Sequence, residues 1–288
     1  VLYYREESSM TVRRRCLPAG WYPADPADAA EAITDFERRA VDSGQTVGTG
    51  GCAALAPHAS WFYSGYLAYL AIASLESEAE TVVVFGGHQG PFSRPLLAEE
   101  DAFETPFGPM PADEELRDAL RAEFGFDSDR YSDNTVELQL PLLRRRYPGA
   151  RVLWIRTPAS ELSFQIGQRA AQLSKTLGRR TVALGSADLT HYGPNYDFAP
   201  HGLGSRAAEW VKETNDRRFI EAAVSGSWKE ALSAALSDSS SCSPGAAAAC
   251  IGFAQARGVG IGRLLAYAQS ADLQPSSSFV GYAAISWA

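Results

Sequence analysis

The chain has 288 residues, 45% of them hydrophobic and 21% charged, which supplies a full core and argues against a disordered segment. Its formal net charge of −8 argues against a nucleic-acid backbone as partner, and the runs Arg13-Arg14-Arg15 and Arg144-Arg145-Arg146 are too short to reverse that. Four scattered cysteines without CxxC spacing argue against a disulfide framework and for a reducing, cytoplasmic setting.

Val1 to Met10 is polar and lacks the apolar core of a secretory signal, so residues 1–15 read as an N-terminal extension and 16–288 as one domain. The longest apolar stretch, Tyr66 to Leu75, is too short to span a bilayer. Periodicity then predicts, in chain order, a helix over 26–42 with Pro26 in its first turn and a strand over 52–56. A helix over 65–77 and a strand over 81–85 follow. The stretch 86–111, rich in Gly and Pro, reads as a long loop. Next come helices over 113–124 and 136–146, a strand over 151–157, a helix over 162–177 and a strand over 181–186. Helices over 205–224, 227–236 and 245–256 precede two last strands, 263–269 and 279–286. The strands are nearly continuous in Val, Ile and Leu, as strands buried on both faces are. Their alternation with helices predicts an α/β fold with a mainly parallel central sheet flanked by helices.

The chain has four histidines, and three of them lie just past strand ends. His58 follows the strand over 52–56, His88 follows 81–85, and Asp188 and His191 follow 181–186. Open α/β sheets bind ligands beyond the carboxyl ends of their strands, so parallel strands would bring all four side chains to one rim. Each has a plainer reading. His58 can be a hydrogen-bonded core histidine, and His88, among Gly86, Gly87 and Gly90, can mark a tight turn. Together they raise the prospect of a metal, since imidazole suits iron, copper and zinc. Asp188 and His191 can be a base and its orienter, two ligands, or a cap beside an incidental histidine. Cys242 lies just before a helix, where a thiol is readily ionised; it can ligate a metal, attack an electrophile, or sit inert. Glu137 either reaches the rim or merely favours a helix dipole. Cys250 reads as core, and His201 carries no assignment.

Five segments in order give a resemblance. They are Pro18-Ala19-Gly20-Trp21-Tyr22-Pro23, Pro57-His58-Ala59-Ser60-Trp61-Phe62-Tyr63-Ser64-Gly65, Glu137-Leu138-Gln139-Leu140-Pro141, Asp188-Leu189-Thr190-His191-Tyr192-Gly193, and Cys242 followed by Pro244 and a small-residue helix. The chain resembles the Memo family, including the AmmeMemoRadiSam system protein B group, which is similar in fold to the LigB-like class III extradiol dioxygenases. The resemblance implies His58, His88 and Cys242 as metal ligands, Fe(II) first and copper second, with His191 as acid/base and Asp188 beside it. Trp61, Tyr63 and Tyr192 are then expected to shape a pocket for a small planar or phenolic substrate, with O₂ as a candidate co-substrate. It also implies a functional link to AMMECR-type and radical SAM proteins. Ser60, Asn134 and Ser243 depart from the family's usual residues, as does Gly86-Gly87 ahead of His88. Three readings stay open: a metal-dependent oxidoreductase, a non-catalytic metal- or peptide-binding module, and a metal-free hydrolase using Cys242, His191 and Asp188.

Overall fold

A computed structural model describes residues 10–44 and 48–288. Val1–Ser9, part of the stretch read as an extension, lie outside the described residues. Val12–Arg13, also in that stretch, pair in parallel with Ala102–Phe103 in a small three-stranded sheet.

Four adjacent parallel strands form the centre: Ala53–Ala56, Thr181–Ser186, Thr81–Gln89 and Arg151–Pro158, in that spatial order. Phe279–Trp287 adds on antiparallel beside Ala53–Ala56 and carries Arg263–Gln269 and the short strand His191–Tyr192. Leu96–Leu97 and Asp127–Ser128 extend the opposite edge. The sheet is open rather than a barrel.

Strand residues alternate between two cores, as a two-residue side-chain period requires. Ala54, Val82, Val84, Val152, Trp154 and Leu184 face one; Leu55, Val83, Phe85, Leu153, Ile155 and Ala183 face the other. Helices Pro26–Asp42, Trp61–Ala73 and Leu140–Arg146 cover the first face. Glu114–Glu123, Glu161–Thr176 and Pro244–Ala256 cover the second, beside Arg217–Val224 and Trp228–Asp238. The single α/β domain with a parallel core is therefore as expected. Among the described residues no helix is long and apolar enough to cross a membrane.

Several elements differ from expectation: the helix expected over 65–77 runs over Trp61–Ala73, and the strand expected over 81–85 continues to Gln89 and so contains His88. The helix expected over 136–146 is two, Asn134–Glu137 and Leu140–Arg146, because Pro141 lacks an N–H and its ring crowds the carbonyl four residues back. The helix expected over 205–224 contains a π-helical stretch, Val211–Asp216, between Ser205–Trp210 and Arg217–Val224. The expected loop over 86–111 holds three short strands, Leu96–Leu97, Ala102–Phe103 and Met110–Pro111.

Candidate metal centre

The parallel strands deliver their carboxyl ends to one rim. His58, 1% exposed, lies two residues past Ala53–Ala56. Its backbone N–H donates to Asp188 Oδ1 at 2.7 Å, and its Nδ1 lies 3.2 Å from Ser186 Oγ. That leaves Nε2 turned toward Cys242 Sγ, 3.3 Å away. His88 sits near the end of Thr81–Gln89 with φ of 60°, a left-handed conformation that is costly for a residue with a side chain. Its N–H donates to Ser243 Oγ at 3.3 Å, and its Nδ1 lies 3.0 Å from Asp133 Oδ2. Cys242 belongs to the loop between Trp228–Asp238 and Pro244–Ala256, tied down by its N–H on the Asp188 carbonyl at 3.2 Å. The two rings stand nearly perpendicular with centroids 5.1 Å apart. One ligand atom each from His58, His88 and Cys242 lies within 4.8 Å of the others.

Electrostatics reinforce the grouping. Burial opposes a thiolate at Cys242, but the charge and hydrogen bond of His58 and the hydrogen bond of His88 outweigh it, bringing the thiol down to about 5. Burial opposes a charged His58, yet Asp188 and Cys242 raise its basicity above the ordinary value. His88 rises to about 10, because Asp133 and Cys242 overcome its burial. Without a metal, the two imidazoles therefore favour the thiolate form of Cys242. A metal ion binds such a set by displacing the protons, and two imidazoles with one thiolate form a donor set that suits it.

His58 and His88 line a cavity of about 790 Å³. Tyr63 lines it, its hydroxyl donating to Gln274 Oε1 at 2.5 Å. His191 also lines it, against the Tyr196 ring at 4.9 Å. Its Nδ1 lies 3.2 Å from the Leu189 carbonyl, which only accepts, so Nδ1 is the donor there. Asp188 lines the cavity too, but its carboxylate turns to His58, 2.7 Å from the backbone N–H and 3.9 Å from Nε2, rather than serving His191. Two expected pocket residues point elsewhere. Tyr192 is fully buried, stacked on Phe279 at 5.2 Å with its hydroxyl donating to the Gly202 carbonyl at 2.9 Å. It neighbours His191 on a two-residue strand, so the pleat sends the two side chains to opposite faces. Trp61 faces the core from the first helical turn, packed between Tyr22 and Phe36.

Three further residues serve the site. Glu137 is buried, neither a rim group nor a plain dipole partner. Its carboxylate accepts from the N–H groups of Cys16 and Leu17, both at 3.0 Å, and from the Tyr22 hydroxyl at 3.1 Å. It thereby fixes the segment whose Ala19, Gly20 and Trp21 form one wall of the cavity. Asn134, another wall residue, donates from Nδ2 to the His58 carbonyl at 3.0 Å. Asp133 was not singled out by the sequence; only its place before a short helix, where it accepts the Thr135 N–H at 2.9 Å, could have flagged it.

A family profile described as Memo-like protein matches residues 13–286. The chain belongs to the Memo family. A MEMO1 family protein of Methanosarcina acetivorans is 29% identical, covering 96% of this chain and 99% of that relative. One from Methanopyrus kandleri is 30% identical over 95% of this chain and 98% of its own length. One from Pyrococcus furiosus is 27% identical over 94% and 98%. Among solved structures, an uncharacterized protein of Escherichia coli K12 shares the fold with a TM-score of 0.52 at 14% identity, covering 82% of this chain and 99% of that one. The Memo match spans every segment that carries the site, from Cys16 to Cys242.

Proposed function

We propose that this Memo-family chain is a metal-dependent, dioxygenase-like oxidoreductase acting on a small planar or phenolic molecule. The observation that carries the reading is the convergence of His58, His88 and Cys242 ligand atoms within 4.8 Å beside the cavity of about 790 Å³. Fe(II) is the first choice of ion, on the family's likeness to extradiol dioxygenases, and copper the second, on the soft thiolate. Either would supply redox chemistry and Lewis acidity, with O₂ as the candidate oxidant.

The chain's own groups supply the rest. Ser186 meets the His58 imidazole at its Nδ1 atom and orients that ring. Asp188 fixes the His58 backbone and, through its carbonyl, the Cys242 loop. His191, with its proton on Nδ1, keeps Nε2 as base for a substrate hydroxyl. Trp21, Tyr63 and Tyr196 give the cavity flat aromatic walls that suit a ring.

The test is anaerobic purification with metal analysis of wild type, His58→Ala and Cys242→Ser, followed by O₂ uptake with catechols. Loss of stoichiometric metal in both variants supports the site, and unchanged metal in both overturns it. Metal without turnover of any diol or phenol leaves a metal- or peptide-binding module. One observation favours a second, metal-free reading: Cys242 Sγ lies 3.3 Å from His58 Nε2, which Asp188 approaches to 3.9 Å, an arrangement resembling a nucleophile with its base. The base in that reading is His58 rather than His191. Alkylation that abolishes a hydrolytic activity in chelated protein supports it.

A further inference from the structure

Behind His88 lies a buried chain of charges that the metal-centre reading does not use. Asp133 Oδ2 meets His88 Nδ1 at 3.0 Å and Arg156 Nη2 at 3.1 Å. Its other oxygen accepts from the Thr135 backbone and hydroxyl. Arg156, 5% exposed, also reaches Asp129 at 3.4 Å and donates from Nε to the Gly87 carbonyl at 3.1 Å. Asp129 in turn accepts from Trp154 Nε1 at 2.9 Å. Thr135 Oγ1 accepts the Gly87 N–H at 3.1 Å, so both sides of the Gly87 peptide unit are held by the same assembly. His88 is therefore fixed twice: its backbone, in a left-handed conformation, through Gly87, and its ring through Asp133.

We infer that Asp133, backed by Arg156, is a positioning residue that presents His88 Nε2 to the metal; the inference rests on the metal-centre reading. A carboxylate only accepts, so the hydrogen bond puts the ring proton on Nδ1 and leaves the Nε2 lone pair free. The negative charge beside the ring strengthens that nitrogen as a donor, as outer-shell carboxylates do for histidine ligands. Arg156 keeps the Asp133 side chain from turning away, because leaving a buried guanidinium unpaired is costly. An exposed His88 with only a left-handed backbone to hold it would swing; this assembly removes that freedom.

The test compares wild type, Asp133→Asn and Leu120→Ala in the full chain, using Co(II) alone as the probe and reading affinity, the Co(II) absorption spectrum and thermal stability. Asn keeps the size but removes the charge and its pull on the Nδ1 proton. Leu120→Ala removes a buried side chain of helix Glu114–Glu123, outside the assembly around His88, and is the control for lost stability alone. The expected result is an affinity loss of about 10–100-fold with an altered spectrum for Asp133→Asn. Leu120→Ala should lose stability yet keep the wild-type spectrum and bind within about threefold of wild type, well short of that loss. Wild-type affinity and spectrum in Asp133→Asn overturn the inference alone. Equal losses in both variants, tracking stability, overturn it as well by showing a merely structural role. Failure of the wild type itself to bind Co(II) overturns the metal-centre reading and this inference together.

Discussion

Gly87→Ala is the sharpest perturbation of the site that touches no ligand. Gly87 is not in a left-handed conformation, so alanine adopts its backbone without torsional strain. The obstacle is contact. A methyl there would stand 2.9 Å from Ser243 Cα and closer still to the Ser243 side chain. Ordinary carbon–carbon separation is about 3.5–4.0 Å, so the two segments must part by roughly 1 Å. Those segments carry His88 on one side and Cys242 on the other, each one residue from the clash. Metal–ligand distances tolerate only about 0.2 Å. The displacement is several times that tolerance, whereas the overpacking itself should cost only about 1–3 kcal/mol of stability. The variant should fold and lose at least about tenfold in metal affinity, in line with what disturbing a ligand's support costs. Metal titration alongside urea denaturation reads both quantities. Gly90→Ala is the control, since its methyl would meet nothing nearer than Ser93 Oγ at 3.7 Å, and should bind as wild type. Undiminished metal affinity in Gly87→Ala would refute the claim that contact at this glycine sets the spacing of the ligands.

Two pH dependences follow from the buried groups. In chelated protein, iodoacetamide should alkylate Cys242 with a half-maximal rate near pH 5, because the lowered thiol moves the thiolate curve to the acid side, and His58→Ala should shift that midpoint upward; a wild-type midpoint above 8, read by mass spectrometry, refutes the imidazole–thiolate pairing. Asp216 is the second: burial pushes its carboxyl up to about 7, only partly offset by hydrogen bonds from Thr190 and Tyr267, so the folded chain holds a proton there that the unfolded chain releases near 4. Its contribution is complete below pH 4 and is lost as pH rises through 7, to a ceiling of roughly 4 kcal/mol for that rise in midpoint. Asp216→Asn should therefore gain on wild type in urea midpoint between pH 4 and 7, and a difference that stays constant from pH 4 to 8 sinks the assignment.

What could be read from the chain was what repeats locally. Strands buried on both faces leave uninterrupted apolar runs, and the glycines and proline near the ends of those runs mark where His58 and His88 lie. That is why the parallel core and the three histidine segments were visible before any coordinates. Cys242 was not visible in that way. It lies in a serine-rich loop with no pattern of its own, and only the family resemblance tied it to histidines far away in the chain. Asp133 and the bracing role of Glu137 were hidden for the same reason, since their partners lie 45 and more than 100 residues off. Trp61 and Tyr192 show the opposite failure: residue type proposed a pocket, while helix phase and strand alternation, unreadable at element ends, turned both rings into the core.

Cys242 reaches the site through a feature that composition alone made look uninformative. Helix Pro244–Ala256 is buried from Pro244 to Ala254, so it shows no polar face, as expected for a helix enclosed on all sides. Its four consecutive alanines and its glycines let it lie closer to its neighbours than larger residues would. A methyl at Gly245 would stand 2.8 Å from the Thr157 carbonyl oxygen, one at Gly185 2.9 Å from both the Ala246 carbonyl oxygen and Cys250 Sγ, and one at Gly167 2.9 Å from Ala249 Cα. The helix therefore presses directly on the strands Thr181–Ser186 and Arg151–Pro158 and on helix Glu161–Thr176. Because its N-terminus ends at their carboxyl edge, the two residues before Pro244 fall between the His58 and His88 loops. The small-residue helix is thus part of how a thiolate can stand 3.3 Å from an imidazole that enters from the far side of the sheet's centre, and the spacing of the ligands is a property of the helix packing as much as of the loops that bear them.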